Sequence, residues 1–201
     1  MSYAILLILS YFLGAIPFGL IIGKAWRGVD IRDHGSGNIG ATNVFRTLGP
    51  GPGTVAFIAD VFKGLIPVVA AGQIAPNTAW LPVAAGMSSI LGHTLSVFLK
   101  FKGGKGVATS LGVGIGLVPP IAAIAFGLWV VIFAATRYVS VASMLASISV
   151  PVMMWATPCP IEYRIFGMLV GTYVVVKHRS NIVRLMQGKE NRFGKKARSE
   201  G

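Results

Sequence analysis

Six stretches of the chain, roughly residues 2–23, 54–72, 79–99, 107–136, 139–157 and 161–177, are apolar over lengths that match the ~20 residues an α-helix needs to cross a hydrocarbon core. No other feature restricts the fold so strongly. A backbone in lipid must satisfy its own hydrogen bonds, and for runs of this pattern the helix does so. With 54% of its 201 residues hydrophobic and 12% charged, the chain also lacks the polar surface that a water-soluble globule requires. The start, Met1-Ser2-Tyr3 before an apolar run, has neither the basic flank nor the cleavage site of a signal peptide and reads as a retained first span.

The 107–136 run is too long for one crossing. Its centre is Gly116-Leu117-Val118-Pro119-Pro120, where two consecutive prolines remove backbone donors and disfavour helix in the residue before each. Breaking it there predicts an all-α, polytopic membrane protein of seven transmembrane helices, the fourth (about 107–118) being short. Charge supports the break: Lys24, Arg27 and Arg32, then Lys100, Lys102 and Lys105, then Arg137, then Lys177 onward all fall on one face. By the positive-inside rule this gives an N-terminus outside and a C-terminus in the cytoplasm. Residues 1–201 form one membrane-embedded domain, ending in a solvated basic tail over 189–201.

Eighteen Lys and Arg against six Asp and Glu leave a formal charge of +12. Because the cations lie between apolar runs, nucleic acid is excluded as a partner and anionic lipid or substrate is favoured. Cys159 is the sole cysteine, so no disulfide framework or multi-cysteine metal site exists. Neither a Ser-His-Asp set nor clustered histidines or carboxylates at ligand spacing are present, and no metal or other cofactor is expected.

Three segments carry chemistry instead. The first, Gly35-Ser36-Gly37-Asn38-Ile39-Gly40-Ala41-Thr42-Asn43, with Arg46 beyond it, is dense in small residues and side-chain donors. Its plain alternative is a turn-rich loop. The second, Lys100-Phe101-Lys102-Gly103-Gly104-Lys105-Gly106, leads into a helix and combines cations, exposed amides and a helix dipole, as phosphate sites do; a flexible basic loop is the alternative. The third, Val176-Lys177-His178-Arg179-Ser180-Asn181-Ile182-Val183-Arg184-Leu185, puts His178 and Asn181 on one helical face and Lys177 and Arg184 on one near-helical stripe, unless it merely stops membrane transfer. Asp60 and Lys63 sit mid-span as either a self-satisfying pair or functional charges, His93 reads as a packing hydrogen bonder, and Ser143 is either a packing serine or a site hydroxyl.

These segments resemble the bacterial acyl-phosphate:glycerol-3-phosphate acyltransferases of the PlsY type, through Ser36 to Asn43, Lys102 to Thr109, and Val176 to Arg179 with Asn181-Ile182. The resemblance spans nearly the whole chain; Leu95-Ser96 departs from it, where an aromatic-Pro pair is usual. It implies an inner-membrane enzyme, active at the cytoplasmic face as a monomer. The reaction is transfer of a fatty acyl group from acyl phosphate to the sn-1 hydroxyl of glycerol 3-phosphate, giving lysophosphatidate. It further implies that Gly103, Gly104, Lys105 and Gly106, with the charge of Lys102, cradle the acyl phosphate. Ser36, Asn38, Arg46, Lys105, Ser143, His178 and Asn181 arrange glycerol 3-phosphate, with Lys105, His178 and Ser143 catalytic. His178 is either the general base or an orienting group, since a substrate phosphate oxygen can take the proton. The alternative function is a transporter of phosphate-bearing anions, against which stands the absence of an internal repeat.

Overall fold

The computed structural model describes residues 2–194, and every regular element among them is helical. Helices α1 (Tyr3–Ala15) and α2 (Phe18–Arg27) continue one apolar rod that is interrupted at Ile16-Pro17. Proline has no amide to donate and pushes the residue before it out of helical geometry, so Ile16 is extended. The freed carbonyl of Ile16 is capped from α4 (Pro50–Ile74): Lys63 Nζ donates to it at 2.8 Å. Asp60, one turn earlier, lies 2.8 Å from the same ammonium. Both charges are almost fully buried, and a lone charge among apolar helices would be unfavourable. Here each answers the other and together they close the gap in a neighbouring helix.

Between these rods lies α3 (Ala41–Leu48), short and amphipathic. After α4 come α5 (Trp80–Thr94), α6 (Val107–Leu117), α7 (Pro119–Thr136), α8 (Val139–Ala156), α9 (Ile161–Lys177) and α10 (Arg179–Met186). Glycines set the closest packing. Gly64 on α4 faces the backbone of Thr109, and Gly112 on α6 faces that of Val61, so the two helices touch main chain to main chain. Helix α1 packs on α5, α7 on α8, and α8 on α9. Space remains between the α4–α6 pair and the α7–α9 group.

The expected count of seven crossings is corrected. Among the described residues, five segments are long and apolar enough to cross a membrane: Tyr3–Arg27, Pro50–Ile74, Trp80–Leu99, Pro119–Thr136 and Val139–Ala156. The break at Pro119 is present, but the helix before it has 11 residues, a rise of about 16 Å against a core of about 30 Å. Helix α9 has 17 residues and carries Glu162 and Arg164 in its first turns. The shortness of α6 agrees with the expectation for the fourth helix, but it and the 17-residue α9 with its charged first turns do not count as full crossings. The sidedness of the termini deduced by parity from seven crossings goes with that count.

Candidate active site

The space between the two helix groups is a cavity of about 510 Å³. It is apolar along α7, α8 and α9 and polar at one end, where the three segments singled out above come together.

The 31–46 segment is shaped by Asn43, whose amide donates to the carbonyls of Ile31 (2.7 Å) and His34 (3.0 Å) while its oxygen accepts from Ser36 N–H (2.8 Å). Gly35 and Gly37 take left-handed conformations (φ +60° and +68°) that turn the chain around this pin. Asn43 is thereby committed to architecture, and Ser36, Asn38 and Arg46 are left to line the cavity. Asn38 closes its own turn by accepting from Gly40 N–H at 2.9 Å. Arg46 Nη2 donates to Asn191 O at 3.4 Å.

In the second segment the amides of Gly103 and Gly104 donate to the carbonyls of Thr94 (3.2 Å) and His93 (3.1 Å). His93 also stacks its ring edge against Gly104, where a Cβ would collide with it. These two glycines therefore bind the loop to the end of α5. Neither lines the cavity; Lys102 and Gly103 border a separate hollow with Arg32 and Lys100. Lys105 and Gly106 do line the cavity, and no acceptor among the described residues takes their amides. Thr109 and Ser110, in the first turn of α6, bring buried hydroxyls without protein partners. The amide-rich helix start thus faces the cavity one step later in sequence than Gly103 and Gly104.

His178 joins α9 to α10. Its Nδ1 lies 2.8 Å from Val174 O, which fixes the proton on Nδ1 and leaves Nε2 as an acceptor. Burial, reinforced by the charge of Lys105, pushes its pKa down to about 4. Asn181 Oδ1 accepts from Lys105 Nζ, while its Nδ2 donates to Glu190 Oε1 at 2.6 Å. Glu190 also accepts from Ser140 Oγ and Arg184 Nε, each at 2.8 Å. Burial raises the Glu190 pKa, but these three donors outweigh it and hold the carboxyl below its ordinary value. Burial lowers the Lys105 pKa to about 8, with Glu190 opposing and Arg184 and Arg46 adding to the shift. Ser143 Oγ accepts from Trp129 Nε1 at 3.1 Å and faces the cavity.

Of the residues expected from sequence, Ser36, Asn38, Arg46, Lys105, Gly106, Ser143, His178 and Asn181 meet around one chamber. Lys102, Gly103 and Gly104 stand behind it. Arg184, in the third segment, joins the chamber residues through Glu190, whereas Glu190 itself and Ser140 had no expected role. Glu190 lies where a solvated tail was expected and is 9% exposed; residues 195–201 of that tail lie outside the described residues. Its one signal in sequence is an acid standing alone in a strongly basic stretch.

A cleft lined by apolar side chains that ends in a cationic, amide- and hydroxyl-rich chamber defines a membrane protein that handles amphiphiles with anionic head groups. The comparisons make this specific. The family profile described as Glycerol-3-phosphate acyltransferase matches residues 4–188. The Glycerol-3-phosphate acyltransferase of Synechococcus sp. (strain JA-2-3B'a(2-13)) is 45% identical over 197 residues, covering 98% of each chain. That of Aquifex aeolicus (strain VF5) is 42% identical over 193 residues, covering 96% of this chain and 100% of the relative. The crystal structure of PlsY (YgiH), an integral membrane glycerol 3-phosphate acyltransferase, in its glycerol 3-phosphate form superposes with a TM-score of 0.92 at 43% identity, covering 96% of both chains. The chain belongs to the glycerol-3-phosphate acyltransferase family and is a multi-pass protein of the inner membrane.

Proposed function

We propose that the polar end of the cavity is where this chain carries out its reaction, transfer of a fatty acyl group from acyl phosphate to the sn-1 hydroxyl of glycerol 3-phosphate to give lysophosphatidate and phosphate. The observation that carries the assignment is the placement of Lys105 Nζ, bonded to Asn181, where the apolar cleft meets the chamber. The acyl chain lies in the cleft. Its phosphate sits against the open amides of Lys105 and Gly106 and the first turn of α6, where the helix dipole and the Ser110 hydroxyl favour an anion. Glycerol 3-phosphate occupies the space between Ser36, Arg46, Ser143, His178 and Asn181, with Lys105 between the two phosphates.

The hydroxyl oxygen forms a bond to the acyl carbonyl carbon, the carbon–oxygen bond to phosphate breaks, and the hydroxyl proton must leave. His178 Nε2 accepts the hydroxyl hydrogen bond and aims the oxygen. The proton passes to the departing phosphate. A phosphate with a second pKa of about 6 is a stronger base than an imidazole held at about 4. Lys105 neutralises the charge that develops on the leaving group.

The site opens at the cytoplasmic face: Lys105 lies just beyond Lys100 and Lys102, which follow the Trp80–Leu99 crossing and share a side with Lys24 and Arg27 at the end of the first, and the positive-inside rule assigns that side to the cytoplasm. All groups named come from one chain, so a monomer suffices. Purified protein given palmitoyl phosphate and labelled glycerol 3-phosphate should release phosphate and form labelled lysophosphatidate in equal amounts. Phosphate release independent of glycerol 3-phosphate, or product formed with acyl-CoA alone, would overturn the assignment.

A further inference from the structure

We infer that α8 and α9 form a ruler for the acyl chain, with Ala146 and Ser147 as the narrow graduations and Met154 with Phe166 as the stop. The inference rests on the proposed placement of the acyl chain in the apolar cleft. It adds the residues that select chain length.

The cavity-facing positions of α8 recur at helical spacing, Ser143, Ala146, Ser147, Val150 and Met154, so one face of the helix runs along the cleft. Side-chain size changes along it. The portion next to the chamber carries serine and alanine, and the opposing face of α9 there is Gly171, whose added Cβ would meet Ser147 O and Pro151. Gly171 lets α9 close onto the α8 backbone here, and the short side chains of Ala146 and Ser147 leave the cavity side of the pair open to an acyl chain. Further on come Val150 and then Met154, which is 1% exposed and lies against Gly167, with Phe166 at 5% exposed beside them. Bulky, buried side chains on both helices close the space at the same depth.

That depth corresponds to a fatty acid. Ser143 and Met154 are eleven residues apart on one helix, a rise of about 16 Å. Carbon–carbon bonds of about 1.5 Å at near-tetrahedral angles advance an extended chain by ~1.3 Å per carbon, so about a dozen methylenes fit between the reacting carbonyl and the floor. A saturated acyl group of about fourteen carbons fills this length. A shorter chain leaves apolar surface unfilled, and a longer one must bend or displace Met154.

The experiment is a chain-length profile of kcat/KM with octanoyl, myristoyl and stearoyl phosphate at saturating glycerol 3-phosphate, for wild type, Val150→Phe and Met154→Ala. Residue 150 lies about 10 Å along α8 from Ser143, so phenylalanine there blocks the cleft beyond the reach of octanoyl and should lower the myristoyl-to-octanoyl ratio by about tenfold or more, the scale of steric discrimination in apolar pockets, without changing KM for glycerol 3-phosphate. Alanine at 154 removes the stop and should raise the stearoyl-to-myristoyl ratio several-fold. Profiles identical to wild type in both variants would overturn the ruler while leaving the reaction intact. No turnover of any acyl phosphate by wild type would instead refute the reaction assignment. Should Val150→Phe fail to accumulate, the Met154→Ala ratio decides alone, and an unchanged ratio is a negative result.

Discussion

Two polar clusters lie within this apolar molecule, and they behave differently. In the first, Asp60, Lys63 and the Ile16 carbonyl consume one another between α1, α2 and α4. In the second, Arg46, Lys105, Arg184, His178, Asn181 and Glu190 gather three cations around one carboxylate. The first balances its charges within itself, although Asp60 and the neighbouring His93, 3.8 Å away, border the cavity; the second has an excess of positive charge, open amides and the free Ser110 hydroxyl facing that cavity. The contrast teaches how to tell a structural charge from a functional one inside a membrane protein. What matters is whether binding capacity is left over once the protein's own partners are counted.

Substitutions in the two clusters should therefore separate cleanly. The largest effect is expected from Lys105→Ala, which removes the ammonium shared by both substrate phosphates. Loss of about three orders of magnitude or more in kcat/KM, with unchanged detergent-solubilised folding by size exclusion and thermal melting, is the expected result; a modest loss would move Lys105 out of the site.

In the first cluster Lys63→Ala leaves Asp60 buried without its partner and should destabilise the fold by about 3–5 kcal/mol. The double change Asp60→Leu with Lys63→Met should restore much of that, read as melting temperature in detergent. If Lys63→Ala left stability intact and abolished catalysis, the contrast between the clusters would collapse.

His178→Ala should lower kcat by about a hundredfold, within the range for a positioned hydrogen-bonding group, and His178→Gln should recover part of it by supplying another acceptor.

The pH profile of kcat/KM should fall above about 8. The sign follows from Lys105: its lowered pKa means that the required ammonium is lost as pH rises through that value in the free enzyme. In kcat the same limb should move to higher pH, because bound phosphate favours the charged lysine. Neutral His178 adds no acid limb above about 4. The smallest effect, a few-fold rise in KM for glycerol 3-phosphate, is expected for Ser143→Ala, since its hydroxyl already accepts from Trp129.

Much of this arrangement was legible in the sequence. Apolar runs, the Pro119-Pro120 break and the concentration of glycine, asparagine and lysine in three loops are local properties, and each corresponds to a helix, a helix boundary or a wall of the site. What stayed hidden depends on tertiary placement. The crossing count is a separate matter: α6 is short as expected and the charges of α9 are plain in its sequence, yet counting both as full spans makes seven where the described residues hold five. Which glycine amides are free depends on the carbonyls at the end of α5, since those of Thr94 and His93 take up Gly103 and Gly104. Glu190 gained its role because the chain after α10 folds back to reach Ser140, fifty positions earlier, a distance no spacing rule spans. Ser143 was ambiguous in isolation and is distinguished by the cavity it faces.

The fold-back after α10 also bears on how the molecule matures. Glu190 braces Asn181, Asn191 receives Arg46, and Phe193 both donates its amide to Arg137 at 2.9 Å and sets its ring against Phe133. Every one of these stitches is made by residues that emerge from the ribosome after the last helix. A nascent chain halted before residue 190 would have helices α1 to α10 made and its head-group chamber unfastened, so competence to acylate waits for the short stretch that follows α10.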